Sequence, residues 1–186
     1  MTFLAIDPGS LESGFVEYGH IVILDGADGG GINFDGYGPV SFGKVPNTRL
    51  VSRLRHVGES GEWEPGEPWG FPEVDTLVFE WMQPRGMPTS KQEFETMYWL
   101  GRFAEAAVHL PEERITRSMV KAHICNSQRA NDKTIRAALI DRYGGLGGKR
   151  VAVGVKADKG PLYGISNDMW QALALAVTYS EQKGLE

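Results

Sequence analysis

The sequence predicts a single α/β domain with a mixed sheet, spanning residues 1–186. Three observations predict it. Strand-like runs crowd the first third of the chain, strand and helix patterns alternate through the rest, and 186 residues can bury a core without crosslinks.

Phe3 to Ile6 is an apolar run closed by Asp7-Pro8-Gly9, the pattern of a buried strand ended by a turn. Gly14 to Tyr18 and His20 to Leu24, parted by Gly19, predict a hairpin. Residues 25–38 are rich in Gly and Asp and predict a loop or a distorted third strand. Leu50, Val51, Leu54 and Val57 have helical spacing. Residues 56–72 carry Gly, Pro, Glu and two Trp without a period, and predict a surface loop inserted in the domain. Val74 to Phe79 predicts an apolar strand ending in Glu80. Ser90 and Glu93 form a capping box for a helix whose core-facing stripe is expected at Phe94, Met97, Tyr98, Gly101, Ala104, Ala107 and Val108. Arg114 to Thr116 predicts a short strand. Asn131 is placed to cap a helix presenting Ile135, Ala138 and Leu139, stopped at Gly144-Gly145. Residues 149–164 are basic and irregular, with disorder expected when no ligand is bound. Ser166 or Asn167 is placed to cap a last helix running to about Gln182.

Composition narrows the function. The lone Cys125 excludes an internal disulfide framework, and one Cys with four scattered His offers no zinc spacing. The expected compartment is a reducing cytosol. No apolar run approaches the ~20 residues of a membrane span, and Met1-Thr2-Phe3-Leu4 lacks the basic segment of a signal peptide. The net charge of −5 hides an asymmetry: residues 114–159 hold eleven Lys+Arg against three Asp+Glu. Such a block either steers a polyanion to one face or is a solvated helical surface.

Three carboxylates sit at the edges of apolar elements: Asp7 and Glu80 end strands, and Asp168 begins the last helix. Each alone has a structural explanation, as a turn acceptor, an exposed strand end, or a charge at a helix N-terminus. Together they are what hard cations such as Mg²⁺ require, anionic oxygens on rigid supports. If the elements pack side by side, they can hold two ions about 4 Å apart for in-line attack on phosphorus.

Ile6-Asp7-Pro8-Gly9-Ser10 with Ser13-Gly14-Phe15 resembles the opening hairpin of RuvC-like Holliday-junction resolvases, members of the ribonuclease-H-like superfamily. Leu77-Val78-Phe79-Glu80 resembles their central strand. Ser118-Met119-Val120-Lys121-Ala122-His123, then Arg129-Ala130-Asn131-Asp132-Lys133, resembles their basic region leading into a helix. Asp168-Met169-Trp170-Gln171-Ala172-Leu173-Ala174-Leu175-Ala176 resembles their terminal helix. The set is most similar to the bacteriophage-type branch, and residues 25–72 match it poorly. The resemblance implies a mixed five-stranded sheet flanked by helices, and an Mg²⁺-dependent endonuclease, with Mn²⁺ able to substitute. It implies Asp7, Glu80 and Asp168 as catalytic metal ligands, and Lys121 and Lys133 as catalytic lysines near the scissile phosphate. Where the family often carries a further Asp, this chain has Gln171, one helical turn after Asp168 and able to offer a neutral oxygen. Asp158 is an outside candidate for a ligand if the alignment shifts.

The resemblance further implies branched DNA as partner, a homodimer built around Met97-Tyr98-Trp99-Leu100, and the cytoplasm of a bacterial host if the gene is carried by a phage. Lys121, Arg129, Lys133, Lys149, Arg150, Lys156 and Lys159 are candidate phosphate contacts, whereas Arg136 and Arg142 read better as surface charges. Trp81 is placed either to stack on a base at an opened junction or to pack in the core. Trp63 and Trp69 fit a strand-separating wedge, a lid or a partner contact. Two alternatives stay open. A related nuclease could act on phage or host DNA or on an RNA–DNA hybrid, and an inactive junction-binding module would explain Gln171. The two-domain ATPases that also open with a strand and an Asp need a longer chain.

Overall fold

Strand β1 (Phe3–Asp7) is apolar on both faces, and alternation divides its side chains between two cores. Phe3 and Ala5 enter one, Leu4 and Ile6 the other. That double burial requires helices on both sides of the sheet. The structure is a computed structural model describing residues 1–23, 34–57, 71, 74–83, 86 and 88–185.

Strand β2 (Glu12–Ile23) runs antiparallel to β1, and β3 (Phe34–Pro46) runs antiparallel to β2. After helix α1 (Asn47–Leu54), β4 (Thr76–Trp81) lies parallel beside β1. Helix α2 (Lys91–Ala106) then leads to β5 (Glu112–Thr116), parallel to β4. The sheet is five-stranded and mixed, in the order β3-β2-β1-β4-β5. Helices α1 and α2 cover one face through Leu50, Leu54 and Phe103.

The other face carries α3 (Arg117–Cys125), α4 (Asp132–Gly144), the short α5 (Gly148–Ala152) and α6 (Met169–Lys183). Helix α6 is buried at every position from Trp170 to Ser180. A helix apolar all round belongs in the interior. It lies along β1, with the Tyr179 ring edge-on to Phe3 at 4.7 Å. Among the described residues no helix is long and apolar enough to cross a membrane.

Four local expectations need correction. Gly19 makes no turn: β2 passes straight through it, and the missing side chain leaves room for Thr2, whose Oγ1 lies 3.0 Å from where a Cβ would stand. The third strand is longer than the Gly-rich run suggests, extending from Phe34 to Pro46 on the alternation of its later residues. The capping box at Ser90 and Glu93 forms with both hydrogen bonds, yet α2 buries Thr96, Leu100, Phe103 and Ala106. Phe94, Met97, Tyr98 and Val108 are exposed, because the helix carries apolar residues on two sides and the sheet takes the narrower stripe. Residues 149–164 are folded: α5 is followed by a two-stranded ribbon of β6 (Gly154–Val155) and β7 (Asp158–Lys159), fastened where the Leu162 amide donates to the Ala152 carbonyl at 2.8 Å. Most of the 56–72 loop, with Trp63 and Trp69, lies outside the described residues.

Candidate active site

Register brings Asp7 and Glu80 to one end of the sheet, and parity brings them to one face. Ile6 pairs with Phe79, so the next residues, Asp7 and Glu80, stand abreast on parallel strands about 4.8 Å apart. Asp7 follows Phe3 and Ala5, and Glu80 follows Val78, on the face covered by α6. The turn after Asp7 is held by other groups. Ser13 Oγ accepts from the Gly9 amide at 3.2 Å and donates to Asn47 Oδ1 at 2.7 Å, while Asn47 Nδ2 donates to the Gly9 carbonyl at 2.9 Å.

Asp168 arrives from the opposite direction. Asp7 pairs with Gly14 on β2, and a Cβ on Gly14 would stand 3.1 Å from the Asp168 carbonyl oxygen. The bare glycine therefore seats the start of α6 against the strand that flanks Asp7. Neither Ser166 nor Asn167 caps this helix with its side chain; Asp168 occupies the cap position, and its own side chain makes no capping hydrogen bond. Its carboxylate reaches instead to Lys44 Nζ at 2.7 Å. Lys44 sits opposite Gly14 on β3 and also lies 3.6 Å from Glu12. The hydrogen bond to Asp168 is the main cause of a raised Lys44 pKa.

Glu80 is likewise engaged. Arg117, the first residue of α3, donates to Glu80 Oε2 at 3.0 Å and to Asp132 Oδ1 at 2.5 Å. Burial pulls the guanidinium down, but Glu80, Asp7 and Asp132 outweigh it and hold the charge firmly. Asp7 carries the remaining strain. Burial and the charge of Glu80 push its carboxyl well above the ordinary value of 3.8; Arg117 opposes, while Asp168 and Asp132 add to the rise. Among the described residues no three His, Cys, Asp or Glu side chains close into a ready cage for a metal. The three predicted acids share one end of one sheet face, with two of them turned toward cations.

A cleft of about 670 Å³ opens at this end, lined by Asp7, Glu80, Trp81, Arg117 and Lys121. Trp81 is half-buried rather than core, with the Arg114 guanidinium 4.1 Å from its ring centre. A second groove of about 470 Å³ is lined by Lys44, Asp132, Lys133, Arg136, Asp168 and Gln171. Gln171 Oε1 and Trp170 Nε1 are buried there with no hydrogen-bond partner among the described residues. Arg136 lies over the Trp170 ring at 4.9 Å, and Arg142 pairs with Glu181. Arg129, Lys149, Arg150, Lys156 and Lys159 are exposed and line neither cleft; Asp158, on the β6–β7 ribbon, is half-buried and also lines neither.

Lys44, Arg117 and Asp132 are the site residues that sequence reasoning misses. One signal was visible: a cation at the first position of a helix opposes the helix dipole and calls for a compensating anion.

No family model matches the sequence, and no curated protein matches it. Solved structures do match. Thermus thermophilus RuvC superposes with a TM-score of 0.61 at 16% identity, over 100% of this chain and 98% of its own. T. thermophilus RuvC in complex with a Holliday junction substrate gives 0.59 at 16% identity, over 100% and 97%. Likeness at that identity is likeness of fold, and this chain has the ribonuclease-H-like fold of RuvC.

Proposed function

We propose that this chain is a divalent-metal-dependent endonuclease that cuts branched DNA, with four-way junctions as the preferred substrate. One observation carries the reading: Asp7 and Glu80 stand abreast on a single sheet face, with Asp168 brought over Gly14 beside them. The shared fold supports the same substrate class, since one of the matching structures is a RuvC bound to a Holliday junction substrate.

The donor set fits a hard cation such as Mg²⁺ or Mn²⁺: three carboxylates, and the amide oxygen of Gln171, buried with no partner among the described residues. Asp7, Glu80 and Asp168 would hold it, with Gln171 as a neutral fourth donor. When bound, the cation would acidify a water for attack on phosphorus and stabilise the departing oxygen. Lys121, lining the same cleft, offsets the charge of the scissile phosphate, and Lys133 does so from the adjoining groove. Trp81 offers a ring face to an unpaired base. Arg129, Lys149, Arg150, Lys156 and Lys159 track the flanking backbone without reading sequence. The exposed Phe94, Met97 and Tyr98 of α2 provide the surface for a second copy, setting two sites against opposed strands.

The test is a purified protein incubated with Mg²⁺ and a synthetic four-way junction. Symmetric nicks with 5′-phosphate ends are expected. Equal cutting of linear duplex would defeat junction selectivity and leave a nuclease. Tight junction binding without cutting in Mg²⁺ or Mn²⁺ would establish a binding module instead, a reading favoured by Gln171 and by the open arrangement of the acids.

A further inference from the structure

Arg117 is a costly residue in this place. A cation in the first turn of α3 opposes the helix dipole, and its side chain is only 23% exposed. The cost is offset by ion pairs with Glu80 and Asp132, one to each arm of the guanidinium. Glu80, on β4, lines the cleft itself, and Asp132, at the start of α4, lines the adjoining groove. The arrangement exceeds what anchoring a helix needs, because it engages a carboxylate that the proposed chemistry requires.

We propose that Arg117 is a resident counter-ion of the acidic site, competing with the divalent cation for Glu80 and setting how tightly the free protein binds metal. The inference rests on the metal-dependent reading above. Coulomb repulsion explains the competition: a fixed positive charge a few ångströms from the donors weakens a dication's binding, while a carboxylate held by Arg117 presents fewer free lone pairs. Release of Glu80 leaves Arg117 facing a cleft in which the natural replacement anion is a phosphate, which a guanidinium binds bidentately. Metal and DNA then favour each other's binding, each by the same factor. Lys44 makes a comparable pair with Asp168 but is more exposed, and so competes less.

The experiment is Mn²⁺ titration of DNA-free protein, followed by calorimetry. R117Q is expected to bind Mn²⁺ about ten-fold more tightly than wild type, and R117K, which keeps the charge, to stay within about three-fold. Weaker or unchanged affinity in R117Q would overturn the inference and leave Arg117 as a structural clamp. Mn²⁺ binding by neither protein would overturn the metal-dependent reading together with it. A measurement on the wild type alone avoids any folding defect of the variant. In ¹⁵N spectra the Arg117 guanidinium, slowed by its two ion pairs, should rotate faster as Mg²⁺ is added without DNA, because only the pair with Asp132 then holds it. Signals unchanged at saturating Mg²⁺ would overturn the competition.

Discussion

Gly14 on β2 lies directly against Asp168 at the start of α6: a Cβ added to the glycine would meet the aspartate's carbonyl oxygen at 3.1 Å. Gly14→Ala therefore pushes the start of α6 away by a few tenths of an ångström, carrying the carboxylate with it. The expected cost in stability is about 1–3 kcal/mol, as for other overpacked sites. Junction cutting should fall about ten-fold or more, since misplacement at this scale disrupts in-line geometry. Urea melts and single-turnover cleavage check the two effects separately. Full activity in a folded Gly14→Ala protein would show that the position of Asp168 is not critical.

Asp7→Asn should abolish cutting while tightening junction binding, because it removes negative charge facing the phosphate. It should also stabilise metal-free protein at neutral pH. Burial and the Glu80 charge hold Asp7 above its ordinary value of 3.8, so between that value and the raised one the folded state binds more protons than the unfolded state. Stability of the wild type then falls as pH rises through this window, and the substitution removes the fall. Thermal melts of both proteins should diverge toward neutral pH and converge toward pH 3.8.

Lys121 and Lys133 line the two clefts, one each. Changing both to alanine should lower the slope of log affinity against log salt by about 2, the loss of two phosphate contacts. A Lys156→Ala, Lys159→Ala double variant should lower the same slope with a smaller loss of cutting rate. Fluorescence anisotropy across a salt series gives the slopes.

Trp81→Ala should weaken binding to an opened junction by about 1–3 kcal/mol and leave linear duplex binding unchanged. A fluorescent base analogue at the crossover reports stacking directly. If quenching of the analogue persists without Trp81, another group performs the stacking.

A pH effect of opposite sign is expected far from the cleft. Burial raises the Glu181 pKa, but Arg142 and His123, the latter at 2.6 Å, outweigh it and lower the value below 4.5. The stabilisation is full above 4.5 and disappears as pH falls through the lowered value. Glu181→Gln should therefore cost about 1–3 kcal/mol at pH 7 and almost nothing in strong acid, as read from denaturant melts at both pH values.

What the sequence makes legible follows from range. Asp7, Glu80 and Asp168 are visible as candidates because each borders an apolar element, a local signal that survives without knowing the fold. The Ser90 capping box is visible for the same reason, as its two bonds span three residues. Gly19 misleads because a glycine that makes room for the side chain of Thr2, just before β1, looks the same in sequence as a glycine that turns. Helix α2 misleads because Phe94 and Leu100 are equally apolar, and only the sheet decides that the first is 66% exposed and the second 2%. Arg117 and Lys44 stay hidden because their partners lie 37 and 124 positions away, and no periodicity encodes an ion pair at that distance.

The burial of α6 from Trp170 to Ser180 ties Asp168 to the most deeply embedded segment of the fold. Loosening that segment would empty the interior along β1, so opening of α6 and loss of the sheet are expected to be coupled. Thermal inactivation and loss of tertiary structure should consequently trace a single curve. A variant selected for heat resistance through packing beneath this helix would gain working lifetime in equal measure.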